Sequence, residues 1–234
     1  MLASAKTKLF ARFALNKSNA MRHFTHSAPW PASIQSEHRA QPHPDNPRDA
    51  WDAFDAREVR DALWELQHGL CAYCERVVEP GPGGSSIDHV VPKSAHPEVT
   101  FLYSNLVLCC TDSKTCNIHK RGQYFSGADA TGRWTPGFIA PTQARCETSF
   151  TFLGDGSVKP SDSAIEPDAT DTLRIVNLNH EPLKTERRDY LAAVNRTIAS
   201  MTDQMDALLV FLEMEMPVGT LKPFYSAKRQ CIKI

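Results

Sequence analysis

A chain of 234 residues with ordinary apolar content and a net charge of −1 is long enough for one large domain, or for a small domain with extensions. No run approaches the roughly twenty apolar residues a membrane helix needs, so a soluble protein without a membrane partner is expected. Seven cysteines, an odd number and mostly clustered, argue against a disulfide framework and for metal binding in a reducing, cytoplasmic compartment.

Lys6, Lys8, Arg12, Lys17 and Arg22 stand in the first 36 residues without an acid, a pattern that resembles an organellar transit peptide. An upstream start codon with Met21 as the true beginning is a second reading. A protease scar at Ser18-Asn19-Ala20 is a third. Residues 1–20 are therefore set aside as a non-native or upstream extension. Residues 21–50 read as an extended N-terminal arm, because Pro29 to Pro47 is rich in Pro, His, Ser and Gln.

Asp55-x-x-Glu58 has capping-box form, with Val59, Leu63, Leu66 and Leu70 at helical spacing behind it. Gly69 is placed to end that helix in the left-handed conformation. Pro80 to Gly84 reads as a flexible turn. Ser86 to Val91 and Leu106 to Cys110 read as short strands and Asn117 to Phe125 as a helix, which makes a ββα unit. Ser149 to Lys159 reads as a hairpin around Gly154-Asp155-Gly156. Gly127 to Thr142 and Ser161 to Thr170 read as loops. Arg187 to Met216 carries the longest helical signal: Leu191, Val194, Ile198, Met201, Met205, Leu208 and Leu212 alternate spacings of three and four before Pro217.

The chemistry concentrates in about fifty residues. Cys71-Ala-Tyr-Cys74 is followed by Asp88-His89, Asn105, Cys109-Cys110 and Cys116-Asn117-Ile-His119-Lys120. Thiolates suit a structural Zn²⁺, whereas Asp, His and Asn suit a hard catalytic cation and an activated water. Cys71, Cys74 and Cys116 are candidate zinc ligands. The fourth is Cys110 or Cys109; strand alternation places Cys110 on the face of Leu106 and Leu108, opposite Cys109. A Cys-x-x-Cys can also be a redox pair, but a second cysteine pair favours zinc. Asp88 is a natural ligand for Mg²⁺ or Mn²⁺, and His89 is a candidate base. Adjacent strand residues face opposite ways, so both reach one site only if the strand ends or bends there, as Pro92 allows.

These residues resemble the HNH nuclease motif, whose core runs roughly Asp-His, Pro-x-Ser, Asn-Leu, Cys, then Cys-His/Asn-x-x-Lys. Here it reads Asp88-His89, Pro92-Lys93-Ser94, Asn105-Leu106, Cys110 and Cys116-Asn117-x-x-Lys120. The stretch around Cys-Ala-Tyr-Cys-Glu, with Met21-Arg22, Pro29-Trp30-Pro31 and Val176-Asn177-Leu178-Asn179, is similar to the small HNH subunit of Septu and retron anti-phage systems. The five-residue spacer Thr111 to Thr115 departs from the family, which usually has about two residues there.

The resemblance implies an α+β fold: a ββα-metal core with a four-cysteine zinc knuckle over residues 51–126, flanked by helices. A hairpin and helical C-terminal region with one long helix would follow over residues 127–234. It also implies Asp88 as ligand of a catalytic Mg²⁺ or Mn²⁺, His89 as general base, and Asn117, directly after the last cysteine, as the second ligand. His119 is the alternative ligand and is otherwise an exposed surface histidine. Lys120 and Arg121 share the face of Asn117 and could contact phosphate. Asn105 reads as a brace for the loop carrying His89.

The resulting expectation is an endonuclease cutting DNA or RNA in anti-phage defence beside an ATPase subunit, the chain itself having no P-loop signature. Against it stands charge, because residues 71–125 carry five Lys/Arg and five Asp/Glu and nucleic-acid binders are usually basic. A partner could supply the positive surface. Alternatives are a catalytically silent zinc module that binds nucleic acid or scaffolds a complex, and a restriction-type nuclease acting alone. Trp51, Trp64 and Trp134 read as packing residues, Cys146 and Cys231 as free thiols.

Overall fold

A computed structural model describes residues 21–26, 29–124, 138–161, 166–199 and 220–231. Helices α1 (Ala32–Ala40), α2 (Pro47–Ala53) and α3 (Arg57–Leu66) precede strand β1 (Ser86–His89). Strand β2 (Leu106–Cys109) and helix α4 (Cys116–Tyr124) follow. Then come β3 (Phe150–Phe152), β4 (Val158–Pro160), α5 (Glu166–Ile175), α6 (Glu181–Ala199) and α7 (Tyr225–Cys231). The architecture is α+β, with two separate two-stranded antiparallel sheets among the described residues.

The expected strand, strand, helix order is present. Ser86 pairs with Cys109, and His89 with Leu106. All four residues of β2 are buried, so that strand is the centre of the core. Gln67, also fully buried, fastens α3 to it: Nε2 donates to Leu108 O at 2.8 Å and to Leu70 O at 2.9 Å, and Oε1 accepts from Leu108 N at 2.7 Å. A buried amide with these bonds made is satisfied rather than costly.

Several expectations need correction. The segment read as an extended arm carries α1, whose Ile34 is completely buried. Asp55 does not cap α3. The N-cap is Ala56, and Asp55 binds the Arg57 side chain and N–H instead. Glu58, the other half of the supposed capping box, crosses to α1 and accepts from Ala32 N at 3.0 Å and Ser33 N at 2.9 Å. It therefore serves the orphan N–H groups of a helix whose own N-cap, Pro31, has no side-chain oxygen to offer. Part of the expected loop 161–170 is the start of α5, and α6 begins at Glu181, six residues before the expected start at Arg187. Gly69 is left-handed (φ +71), as the helix end requires, but His68 already is as well (φ 53).

The β3–β4 hairpin has the expected form. Its Gly156 (φ +84) lies so close to α6 that an added Cβ would collide with Lys184 O. Asn179 holds β4 in place, with Oδ1 accepting from Val158 N and Nδ2 donating to Val158 O, both at 2.8 Å. Leu191 of the α6 stripe is buried and Val194 is half-buried. The side chains from Met201 to Leu212, that of Ile198, residues 1–20, Trp134 and the Cys231 side chain lie outside the described residues. No helix among the described residues is long and apolar enough to cross a membrane.

Candidate active site and cysteine cluster

Cys71, Cys74, Cys110 and Cys116 are all buried, and their sulfurs lie within 4.8 Å of one another. None is in a disulfide. Cys71 Sγ is 3.7 Å from Cys116 Sγ, and Cys74 Sγ is 3.8 Å from Cys110 Sγ. A tetrahedral ion with metal–sulfur bonds of about 2.3 Å would set such edges at about 3.8 Å. The four donors thus have the spacing and burial to hold a metal ion. Cys109 is equally buried but lies outside the cluster, and burial pushes its thiol up to about 11. Within the cluster burial raises Cys71, whereas hydrogen bonds from the thiols of Cys116, Cys71 and Cys74 hold Cys110 toward the thiolate.

The local chain builds this cluster with two left-handed residues, Glu75 (φ 58) and Cys116 (φ 55), a conformation costly without glycine. Each is held. Glu75 N donates to Cys71 O at 3.1 Å and Cys116 N to Val176 O at 2.9 Å. The Glu75 carboxylate, buried, accepts from Arg22 N at 3.1 Å, Ser226 N at 2.8 Å and Ser226 Oγ at 2.6 Å. The long spacer after Cys110 is tied down by Arg76, which reaches Asp112 at 2.6 Å, Thr115 Oγ1 at 3.2 Å and Cys110 Sγ at 3.8 Å.

Beside the cluster opens a cleft of about 510 Å³ lined by Asp88 and His89 of β1, Lys120 and Arg121 of α4, Arg48, Trp51 and Asp52 of α2, and Lys93. The strand ends at His89, and there both adjacent residues reach the same cleft. His89 is buried, with Nε2 2.9 Å from Thr100 O. A carbonyl only accepts, so Nε2 carries the proton and Nδ1 the lone pair. Trp51 stands edge-on to the imidazole, with ring centroids 4.5 Å apart. Burial, with Lys93 nearby, lowers the His89 pKa to about 3, so the ring is neutral at ordinary pH. Asn105 braces the loop beyond: Oδ1 accepts from Val91 N at 2.7 Å and Nδ2 donates to Val91 O at 2.9 Å.

The helix residues divide differently from the sequence reading. Lys120 is buried, and Nζ donates to Asp88 Oδ2 and to His89 O, both at 2.7 Å. It is an internal partner of the cleft rather than a free phosphate contact. Arg121 is exposed at the cleft. Asn117 is almost wholly buried and does not line the cleft. Its Nδ2 donates to Ser86 Oγ at 3.2 Å. His119 is not the exposed residue expected. It is half-buried, with Nδ1 donating to Ile175 O at 3.0 Å, and it too lies away from the cleft.

Sequence reasoning passed over Tyr73, whose hydroxyl donates to Asp88 Oδ2 at 2.7 Å, and the α2 wall. Trp51, read as packing, also touches His89. Asn46 was the available signal for α2: it precedes Pro47, and its Oδ1 accepts from Asp49 N at 3.2 Å, which makes it an N-cap.

A carboxylate and a neutral imidazole thus stand side by side at the end of a buried hairpin, next to four clustered thiols. The chain is similar to a protein of Vibrio cholerae serotype O1 biovar El Tor described as "Retron Vc95 putative HNH endonuclease". The two are 29% identical over 140 residues, an alignment covering 56% of this chain and 62% of that protein. This supports an HNH endonuclease family relationship. The matched region is thus less than two thirds of the relative's length. No family model matches the chain.

Proposed function

We propose that the protein is a metal-dependent HNH endonuclease that hydrolyses phosphodiester bonds in DNA or RNA. The observation that carries the reading is the joint position of Asp88 and His89 on one cleft wall, with His89 Nε2 committed to Thr100 O. Nδ1 of a neutral imidazole can take the proton of an attacking water. Asp88 would hold a Mg²⁺ or Mn²⁺, which supplies charge neutralisation at the scissile phosphate. Asn117, or alternatively His119, remains the sequence-based second ligand. Their positions off the cleft favour neither.

Charge no longer weighs against the reading. Arg48, Lys93 and Arg121 line the cleft, with Arg48 beside Asp52 and Lys120 paired internally to Asp88. The near-neutral chain thus gathers cations where a phosphate backbone would lie, and phosphate neutralisation supplies much of nucleic-acid affinity. The cysteine cluster would hold zinc as a structural ion. The sequence resemblance is the ground for a role as effector subunit of a bacterial anti-phage system beside an ATPase, and the word retron in the relative's description agrees with the defence part of that reading.

The test is cleavage of plasmid, single-stranded DNA and tRNA by the purified chain with Mg²⁺ or Mn²⁺, alone and with an ATPase encoded beside it. Cleavage that needs the divalent ion and vanishes in His89→Ala, with cysteine-bound metal retained, supports the proposal. No cleavage under any of these conditions overturns it in favour of a catalytically silent zinc module.

A further inference from the structure

The described surface and interior hold other unusual groups, among them the buried Arg187 and the apolar groove around Trp30 and Tyr103. The cysteine cluster and the cleft meet at Tyr73 and Lys120. Tyr73 is the third residue of Cys71-Ala-Tyr-Cys74 and is 2% exposed. Its hydroxyl leaves the cysteine cluster and reaches Asp88 Oδ2 at 2.7 Å. Lys120 Nζ meets the same oxygen at 2.7 Å, and Lys120 is four residues beyond Cys116, one turn along the same face of α4. Both donors to Asp88 therefore hang from segments that carry cluster sulfurs.

An aspartate on a short strand can turn its carboxylate, and a rotating carboxylate is a poor fixed ligand. Two donors on Oδ2 remove that freedom. Neither engages Oδ1, the oxygen a cation in the cleft would take. We infer that Tyr73 is a positioning residue through which the cysteine cluster sets the affinity of Asp88 for its divalent cation. The inference rests on the reading of Asp88 as cation ligand given above. It adds a direction of control: a protein with an incomplete cysteine cluster loses its grip on the catalytic cation, because Tyr73 and Lys120 are no longer held against Oδ2. Partners of this kind, one bond removed from a metal ligand, typically change metal affinity about 10–100-fold when removed.

The experiment uses the full chain and Mn²⁺ alone as the probe. Mn²⁺ binding is followed by calorimetry and by electron paramagnetic resonance for wild type, Tyr73→Phe and Asp88→Ala, with cysteine-bound metal counted by elemental analysis. Tyr73→Phe is expected to keep its cysteine-bound metal, melt close to wild type and bind Mn²⁺ about 10–100-fold more weakly, while Asp88→Ala loses the site. Unchanged Mn²⁺ affinity in Tyr73→Phe overturns the inference. So does loss of its cysteine-bound metal, which makes the phenol a residue of the cluster's own fold, and so does a wild type that binds no Mn²⁺ through Asp88. A wild type that binds Mn²⁺ with the expected Tyr73 dependence yet cleaves no nucleic acid removes the nuclease reading and leaves the coupling standing. Cleavage with unchanged Tyr73→Phe affinity does the reverse.

Discussion

Arg76 places one guanidinium nitrogen 3.8 Å from Cys110 Sγ and 2.6 Å from Asp112, and a second 3.6 Å from Glu186 of α6. Four thiolates around a divalent ion leave two negative charges in excess, and a nearby cation offsets part of that burden. Although burial opposes its charge, the thiolates of Cys74 and Cys110 and the Asp112 carboxylate raise the Arg76 pKa above the usual arginine range. Arg76→Ala should therefore release the cluster's metal to a competing chelator about 10–100-fold faster, with Arg76→Lys intermediate. A colorimetric chelator assay reads the rate, and equal rates would remove Arg76 from this role.

Loss of two cluster sulfurs should be felt by the whole fold. Structural zinc sites contribute roughly 10–16 kcal/mol of binding in zinc-finger peptides, at or above the usual stability of a domain. The double variant Cys71→Ser/Cys116→Ser is expected to contain no tightly held metal and to lose its cooperative melting transition. Elemental analysis showing full occupancy in that variant would remove the claim.

Gly156 offers a test of the hairpin's seat on α6. An alanine there must adopt φ +84 and also meet Lys184 O. Backbone strain of this kind costs about 1–3 kcal/mol, and overpacking adds a similar amount. Gly156→Ala should lower the urea midpoint accordingly. Gly154, whose Cβ would meet nothing, should tolerate the same change far better.

The acid limb of stability should depend on His26. Its Nε2 donates to Leu106 O at 2.8 Å, and burial lowers its pKa below the ordinary histidine value. The unfolded chain then binds the proton more readily than the folded one. The contribution of His26 is present above the unfolded pKa of about 6.5 and is lost as pH falls toward its folded pKa. His26→Gln should flatten the fall of melting temperature on acidification below about pH 6.5. An unchanged slope would contradict this.

The β3–β4 hairpin and α3 could be read from sequence because each carries its own period over consecutive residues. The cysteine cluster could be read from residue type and spacing, and the resemblance, counting five residues on from Asn105, points to Cys110, the member of the adjacent pair that joins the cluster. The cleft's far wall could not be. Arg48 and Trp51 sit on a seven-residue helix with no buried residue of its own, so they leave no hydrophobic stripe, and only the fold brings them against His89. Glu58 misled for a related reason: its capping form is genuine, but its carboxylate serves α1, which it meets only in the folded chain. Tyr73 was hidden inside a motif that the cysteines alone sufficed to explain.

Glu75 gives the assembly a temporal character. Its carboxylate is satisfied by Arg22 at one end and Ser226 at the other, so its bonding is complete only after residue 226 has left the ribosome. Until then the cysteines next to it have no finished neighbourhood, and such sequence-distant contacts slow folding. An excised segment 71–124 would strip that carboxylate of its partners and uncover β2. In this chain the piece that must fold together is wider than the piece that carries the chemistry.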